Sequence, residues 1–279
     1  MHLISKDKKS YKPYYPEQLD TVEKLPCGIY TVMFSDSMFG TSVRLDVNEF
    51  NESYIKPDTE EFKNIENLVD ITFNPANIEL HKDLEYLNKT GIIIYGKPGT
   101  GKTVSSKILV NEICKKYDAI CLFLDDLNYL EDTMKLINHL RTEIKDRCVI
   151  LLIDECERLF DGYSKINEHI MTQICDGYLS TTNFIFIGIT NHLDRIPSKF
   201  KSRPSRIKLE QEITTAPENV IKDLINSKIP EKYKSLVDVS KMVYTFTEQK
   251  LTIDQVKSKI IEELQQAVIK KADVAKPVL

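Results

Sequence analysis

The feature that most restricts how this chain can fold is an alternation that begins at Gly91. Short, continuously apolar runs occupy 92–95, 120–124, 149–153 and 184–189, and stretches with helical periodicity separate them. A strand that is apolar on both faces requires a sheet covered on both sides, and helices between such strands produce βαβ units around a parallel sheet. The helices are expected over 103–116, 131–145 and 166–179, with a fifth strand over 206–209. The chain is therefore read as α/β, with a three-layer αβα core around a five-stranded parallel sheet.

The flanks differ in character. Residues 28–34 and 43–47 alternate with period two about a turn at 35–40, which predicts a hairpin. Pro57-Asp58-Thr59 interrupts that pattern, and Phe62, Ile65, Leu68 and Val69 resume at helical spacing. After Glu212 only helical patterns follow, with Thr215-Ala216-Pro217-Glu218 and Thr252-Ile253-Asp254-Gln255 reading as capping boxes. The expected division is a small β-containing N-terminal module over 1–58, a core over 59–210 and a helical lid over 211–279.

Composition narrows the function classes. With 38 Lys+Arg against 42 Asp+Glu in 279 residues, the net charge of −4 lacks the basic excess of a generic nucleic-acid binder. No apolar run approaches the roughly 20 residues of a membrane helix, so no membrane partner is expected. The polar start has no apolar signal core, and the six cysteines form no C-x-x-C pair, so the chain is placed in a reducing cytoplasm, with a disulfide framework as the formal alternative. His81, His139 and His169 share no ligand spacing. The N-terminal Lys8, Lys9, Tyr11, Lys12, Tyr14 and Tyr15 mix charge with stacking groups, but a solvated, unstructured start is expected there.

The chemistry is concentrated in Gly96-Lys97-Pro98-Gly99-Thr100-Gly101-Lys102-Thr103, placed directly after one expected strand and at the head of a helix, which Val104 continues. In that context the run is a phosphate-binding loop. Its glycines let backbone N–H groups wrap a phosphate chain, and the helix N-terminus adds a favourable dipole. Lys102 is expected at the β- and γ-phosphates of a nucleotide, and the Thr103 hydroxyl on Mg²⁺. About fifty residues on, the strand 149–153 ends in Asp154-Glu155 and resembles a Walker B motif. Asp154 would hold the Mg²⁺ shell and Glu155 would polarise the attacking water.

Together these residues resemble the AAA+ ATPases, closest in pattern to the AAA subgroup, over about 89–210. The resemblance implies ATP and Mg²⁺ as ligands and a ring-forming assembly of identical copies, with a hexamer favoured. It also implies a protein client or adaptor recruited through the N-terminal region. Asn191, just beyond the strand 184–189, is similar to the sensor that positions the water. Arg203-Pro204-Ser205-Arg206 matches the family's R-P-G-R element with Ser in place of Gly, so Arg203 and Arg206 would be arginine fingers reaching a neighbouring subunit's nucleotide. Asp176-Gly177 resembles the end of the helix before that strand. Two departures stand out. The loop Asp125–Leu130 carries an aromatic, Tyr129, but no Gly, so it matches a substrate-threading pore loop only in part. The helical tail has no Gly-Ala-Arg signature, so its sensor residue is unassigned. His192 follows Asn191 and reads as a polar loop residue.

The leading reading is Mg²⁺-dependent ATP hydrolysis coupled to remodelling of a protein client. A nucleic-acid loader or initiator, for which a DNA-binding appendage is not evident, and a slowly hydrolysing ATP switch or scaffold stay open as alternatives. A small-molecule kinase fits Asp154-Glu155, Asn191 and the two arginines less well, because those groups suit attack by water.

Overall fold

A computed structural model describes residues 2–4, 10–14, 21–22, 25–37, 40–48, 55–143, 147–160, 165–176, 182–201 and 206–274. The chain opens with β1 (His2–Ile4), β2 (Ser10–Tyr14), β3 (Thr21–Val22) and the hairpin β4 (Gly28–Ser37) and β5 (Gly40–Val47). Helices α1 (Glu60–Phe73) and α2 (Pro75–Asp83) lead into β6 (Lys89–Tyr95) and α3 (Lys102–Tyr117). The alternation continues through β7 (Ile120–Leu124), α4 (Leu130–Glu143), β8 (Val149–Ile153), α5 (Lys165–Asp176), β9 (Phe184–Thr190), α6 (Ser198–Lys201) and β10 (Leu209–Glu212). Four helices close the chain: α7 (Glu218–Lys228), α8 (Glu231–Lys234), α9 (Val239–Glu248) and α10 (Ile253–Val274).

The strands form one sheet in the order β10-β6-β9-β8-β7-β4-β5-β2-β1-β3. The strands from β10 through β4 pair in parallel, and β5 turns the sheet antiparallel. The parallel part thus has six strands where five were expected. The extra one is β4, whose Gly28–Thr31 lie in register with Ile120–Phe123 of β7. The hairpin is therefore continuous with the central sheet across the break at residue 58. Residues 10–14, expected to be unstructured, instead form a strand that pairs with β5 at Ser10↔Asp46 and Tyr11↔Leu45.

Alternation along each central strand builds the two faces. On β8, Val149, Leu151 and Ile153 join one apolar cluster with Met134, Ile137, Ile170 and Ile174, the inner residues of α4 and α5. Ile150 and Leu152 point the other way, into a cluster with Phe62, Ile65 and Val69 of α1 and Leu109 and Ile113 of α3. This is the expected three-layer αβα core. A third cluster, with Ile221, Ile225, Met242, Val243, Phe246, Val256 and Ile260, lies among α7, α9 and α10 and forms the helical lid.

Local chemistry sets several boundaries. Asn74 caps α2 by accepting from the Ala76 N–H at 2.9 Å, with Pro75 at the first helical position. The second capping box forms as expected: Thr252 N–H donates to Gln255 Oε1 at 2.9 Å and Gln255 N–H to Thr252 Oγ1 at 3.3 Å. The first does not. Pro217 occupies the N-cap of α7 with no side-chain cap bond, since its ring carries no acceptor, and its fixed φ of −65° sets the entry of the chain. The fifth core strand begins at Leu209, slightly later than expected.

Candidate nucleotide-binding site

Parallel strands present their carboxyl ends along one edge, where βα loops gather. The loop between β6 and α3 lies there, held by close approaches that exclude side chains. A Cβ on Gly96 would lie 2.1 Å from the Ile213 carbonyl oxygen. Gly101, at φ +83°, adopts a left-handed conformation, and a Cβ on it would lie 2.3 Å from Ile253 Cδ1. Thr100 Oγ1 donates to the Lys97 carbonyl at 3.0 Å, tightening the turn.

Lys102 begins α3 and is only 7% exposed. Its Nζ donates to the carbonyls of Gly96 and Lys97 and to Asn191 Oδ1, each at 2.8 Å, with Thr100 Oγ1 farther at 3.4 Å. Burial pulls the Lys102 ammonium below its ordinary range, opposed by the negative charges of Asp154 and Glu157. The expected phosphate lysine and the expected sensor asparagine thus meet, although they are far apart in sequence.

The next residue is tied to the end of β8. Thr103 Oγ1 donates to Asp154 Oδ2 at 2.6 Å, which brings the two expected Mg²⁺ ligands into contact. A hydroxyl and a carboxylate oxygen suit a hard cation that takes its remaining ligands from phosphate and water. Among the described residues no cluster of three or more His, Cys, Asp and Glu side chains is placed to cage a metal. Thr103 and Asp154 therefore fit Mg²⁺ brought in with a nucleotide.

Glu155 has left-handed backbone angles of φ +48° and ψ +43°, an uncommon conformation for a non-glycine residue. The conformation lets the chain leave β8 abruptly, and the Glu155 carboxylate lies 3.5 Å from Arg158 Nη1 at the surface. Its backbone N–H donates to Asp154 Oδ1 at 2.9 Å.

These groups line a cleft of about 410 Å³ between core and lid. From the core come Pro98, Gly99, Gly101, Lys102, Thr103, Val104, Asp154, Glu155 and Asn191; the lid adds Val220, Leu224, Ile253, Asp254 and Lys257. The Asp254 N–H donates to the Gly99 carbonyl at 3.2 Å, and its carboxylate lies 3.2 Å from Lys257 Nζ. The lid residues escaped sequence reasoning. The capping box locates the start of α10, but no pattern tells which of its side chains turn toward the loop. A further tie runs to the segment before α1: Asn219 Nδ2 donates to the Lys56 carbonyl at 2.7 Å. Lys56 Nζ in turn pairs with Glu66 of α1 and, at 2.9 Å, with Glu112 of α3.

Other expectations meet different fates. Arg203 lies outside the described residues. Arg206 is 5% exposed, and its guanidinium is consumed within the chain. Nε and Nη2 donate to Asp176 at 2.6–2.8 Å, and Nη1 donates to the Lys199 carbonyl at 2.8 Å. In a single copy of the chain Arg206 is thus a buried guanidinium with its donors committed, and it fastens α5 to the segment before β10. Tyr129 stacks on Phe34 of β4 with ring centroids 4.7 Å apart and donates to Asp36 Oδ2 at 2.9 Å. His192 is exposed, with its backbone N–H on Thr190 Oγ1 at 2.8 Å, and does not line the cleft.

Comparison with known proteins agrees with this geometry. Residues 92–215 match the model of the ATPase family associated with various cellular activities (AAA). Over 170 residues the chain is 29% identical to the vesicular-fusion protein SEC18 of Candida albicans, covering 52% of this chain and 21% of that protein. It is 27% identical over 211 residues to a proteasome-associated ATPase of Streptomyces coelicolor, covering 61% and 35%. With the 26S proteasome regulatory subunit 4 homolog of Dictyostelium discoideum it shares 28% identity over 141 residues, covering 46% and 32%. The chain thus spans about a fifth to a third of the length of these relatives. Loop, acidic strand end and sheet agree with that match, and residues 92–215 are similar to the AAA ATPase family.

Proposed function

We propose that the chain hydrolyses ATP with Mg²⁺ and uses the cycle to remodel a protein client as a self-associating assembly, a hexameric ring being favoured. The observation that carries this reading is the convergence of Lys102, Thr103, Asp154, Glu155 and Asn191 on one cleft shared by core and lid. The P-loop backbone and Lys102 would bind the phosphates, and Thr103 and Asp154 would hold Mg²⁺, whose chemistry when bound is to neutralise phosphate charge. Glu155 accepts a proton from the attacking water, and Asn191 orients that water near Lys102. Arg203 supplies the finger to a neighbouring copy, and Arg206 secures the segment on which Arg203 is carried.

The division into a core over 59–210 and a lid over 211–279 places this cleft at their junction, with residues 1–58 as the recruiting surface. A protein client is preferred to nucleic acid because the relatives include a vesicular-fusion protein and proteasome-associated ATPases. A reducing cytoplasm suits the buried Cys114, Cys121 and Cys156, whose thiols burial pushes well above their ordinary range, Cys114 to about 12.

The test is ATP turnover per subunit in Mg²⁺ buffer across a wide range of protein concentration. Turnover is expected to rise steeply with concentration in the wild type. In Glu155→Gln it is expected to fall by about a hundredfold or more with ATP binding retained, since the base is lost and the phosphate ligands are not. Unchanged turnover in that variant removes Glu155 from the mechanism. A flat wild-type profile from a chain that sizes as a monomer removes the shared site.

A further inference from the structure

Two lid helices reach the core by hydrogen bonds at separate places. At the phosphate loop, the first turn of α10 donates the Asp254 N–H to the Gly99 carbonyl at 3.2 Å. The other helix, α7, is fastened to the segment before α1. There the Asn219 carboxamide straddles Pro57: Nδ2 donates to the Lys56 carbonyl at 2.7 Å, and Oδ1 accepts the Asp58 N–H at 3.4 Å. A carboxamide carries a donor and an acceptor on one flat group, so it can take the carbonyl on one side of a proline and the N–H on the other. Pro57 is buried and its ring fixes φ, which keeps those two backbone groups in place.

The segment that Asn219 holds is itself anchored. Lys56 Nζ pairs with Glu66 of α1 and with Glu112 of α3, so the segment follows the helix that starts at Lys102. On the lid side, Val220 comes directly after Asn219 in α7 and Leu224 lies one turn farther on the same face, and both line the cleft. Val104, 42% exposed in the first turn of α3, lines it from the core. These apolar side chains suit the sugar and base of a nucleotide, whose phosphates belong with Lys102 and the P-loop backbone.

We propose that Asn219 is a positioning residue that sets the gap between the α7 wall and the head of α3, and with it the grip on the nucleoside part of the nucleotide. The proposal rests on the nucleotide reading above and adds which contact holds the lid wall in place. Helix α3 carries Lys102 and Thr103 in its first turn and Glu112 farther along, so the clasp refers the lid to the same helix that faces the phosphates. Loss of the clasp frees α7, while the tie of Asp254 to Gly99 and the contacts among Lys102, Thr103, Asp154 and Asn191 stay as they are. Nucleotide binding then suffers and the chemical step does not.

Two substitutions in the full chain separate this role from a general weakening of the helix. Asn219→Ala removes both hydrogen bonds. Asn219→Asp keeps the size and the acceptor but turns an oxygen toward the Lys56 carbonyl, and a carboxylate in the first turn of α7 favours the helix dipole, so the helix itself is not weakened. Binding of ADP and of tripolyphosphate is measured by calorimetry with Mg²⁺, beside ATP turnover at one protein concentration. Both variants are expected to bind ADP about three- to tenfold more weakly than the wild type, the equivalent of one or two hydrogen bonds, and KM for ATP should rise in step. Tripolyphosphate affinity and turnover at saturating ATP should stay within about twofold of wild type. Wild-type ADP affinity in both variants overturns the clasp, and so does a loss confined to Asn219→Ala, which would mark simple packing. An equal loss of tripolyphosphate affinity also overturns it, because the damage would then have reached the P-loop. A wild type that binds neither ADP nor tripolyphosphate removes the nucleotide reading, and the clasp with it.

Discussion

Removing the Asp176 carboxylate tests whether Arg206 fastens the fold or acts on a nucleotide. In the folded chain Arg206 Nε and Nη2 make three contacts of 2.6–2.8 Å with Asp176. Asp176→Ala leaves a guanidinium that is 5% exposed, with the Lys199 carbonyl and the Phe200 ring, 5.4 Å from Cζ, as its remaining partners among the described residues. Stripping a buried charge of its partner costs about 3–5 kcal/mol. The Asp176 side chain is itself 27% exposed, so water can reach the vacated space and the lower end, about 3 kcal/mol, applies. At roughly 2–4 °C per kcal/mol for a chain of this size, Tm should fall by about 6–12 °C. Arg206→Met removes the buried charge together with its need for a partner and leaves a carboxylate that water can solvate, so it should cost about 1–2 kcal/mol. The double variant should then be more stable than Asp176→Ala alone, a signature of direct coupling. Urea unfolding followed by circular dichroism, beside ATP turnover on the same samples, reads both effects. If both single variants unfold at the wild-type midpoint while turnover collapses, the pair does not hold the fold and Arg206 belongs with the nucleotide.

Three further outcomes are expected. Lys102→Ala should weaken ATP binding by about 10–100-fold, the equivalent of losing a charged hydrogen bond of about 1.5–3 kcal/mol; wild-type affinity by calorimetry would remove the P-loop assignment. Gly101→Ala places a Cβ at φ +83° against Ile253 Cδ1 and should destabilise by about 1–2 kcal/mol, and Ile253→Ala should recover only the clash, so full recovery in the double variant would show that the backbone angle is not strained. Burial alone would raise the Asp70 carboxyl, but hydrogen bonds from Lys116 at 2.8 Å and Tyr117 at 2.6 Å hold it below its ordinary range. A depressed carboxyl stabilises the fold above its unfolded pKa of about 3.9, and that stability is lost as pH falls through the lower folded value. Asp70→Asn should therefore flatten the acid limb of the stability profile below about pH 4 and lower stability at neutral pH, and an unchanged limb would refute the cluster.

What sequence reasoning reached follows from how local each signal is. The core strands are legible because buried parallel strands are continuously apolar, and the P-loop because its glycines and Lys102 are contiguous. The contact of Thr103 with Asp154 follows once the head of α3 and the end of β8 are placed along one edge of a parallel sheet. The lid side of the cleft is not legible, since Val220, Leu224 and Lys257 look like any amphipathic helix until packing turns them toward the loop. Helix α2 carried a readable signal in Asn74-Pro75, an N-cap followed by proline at the first position. The ion pair of Arg206 is not legible either, because its partner Asp176 lies thirty residues earlier and no local pattern links the two. The sixth parallel strand was hidden because a hairpin pattern fixes the partner of β5 but is silent about what lies on the other side of β4.

That sixth strand changes how the N-terminal region can act. A recruiting module on a flexible linker could swing independently of the core, whereas here β4 is hydrogen-bonded to β7 along Gly28–Thr31. Tyr129 adds a second fastening, because its ring stacks on Phe34 at an interplanar angle of 12° and its hydroxyl donates to Asp36, which holds that phenol above its ordinary pKa. The loop that would carry a pore aromatic is in this way committed to the hairpin rather than left to grip a client. β7 is flanked by β4 on one side and by β8 on the other, and β8 ends at Asp154. A load applied to the hairpin therefore reaches the strand that ends at Asp154 through two successive parallel pairings. Coupling between a client and hydrolysis in this chain would run through the sheet itself, and the 125–130 loop would serve as a fixed brace at its edge.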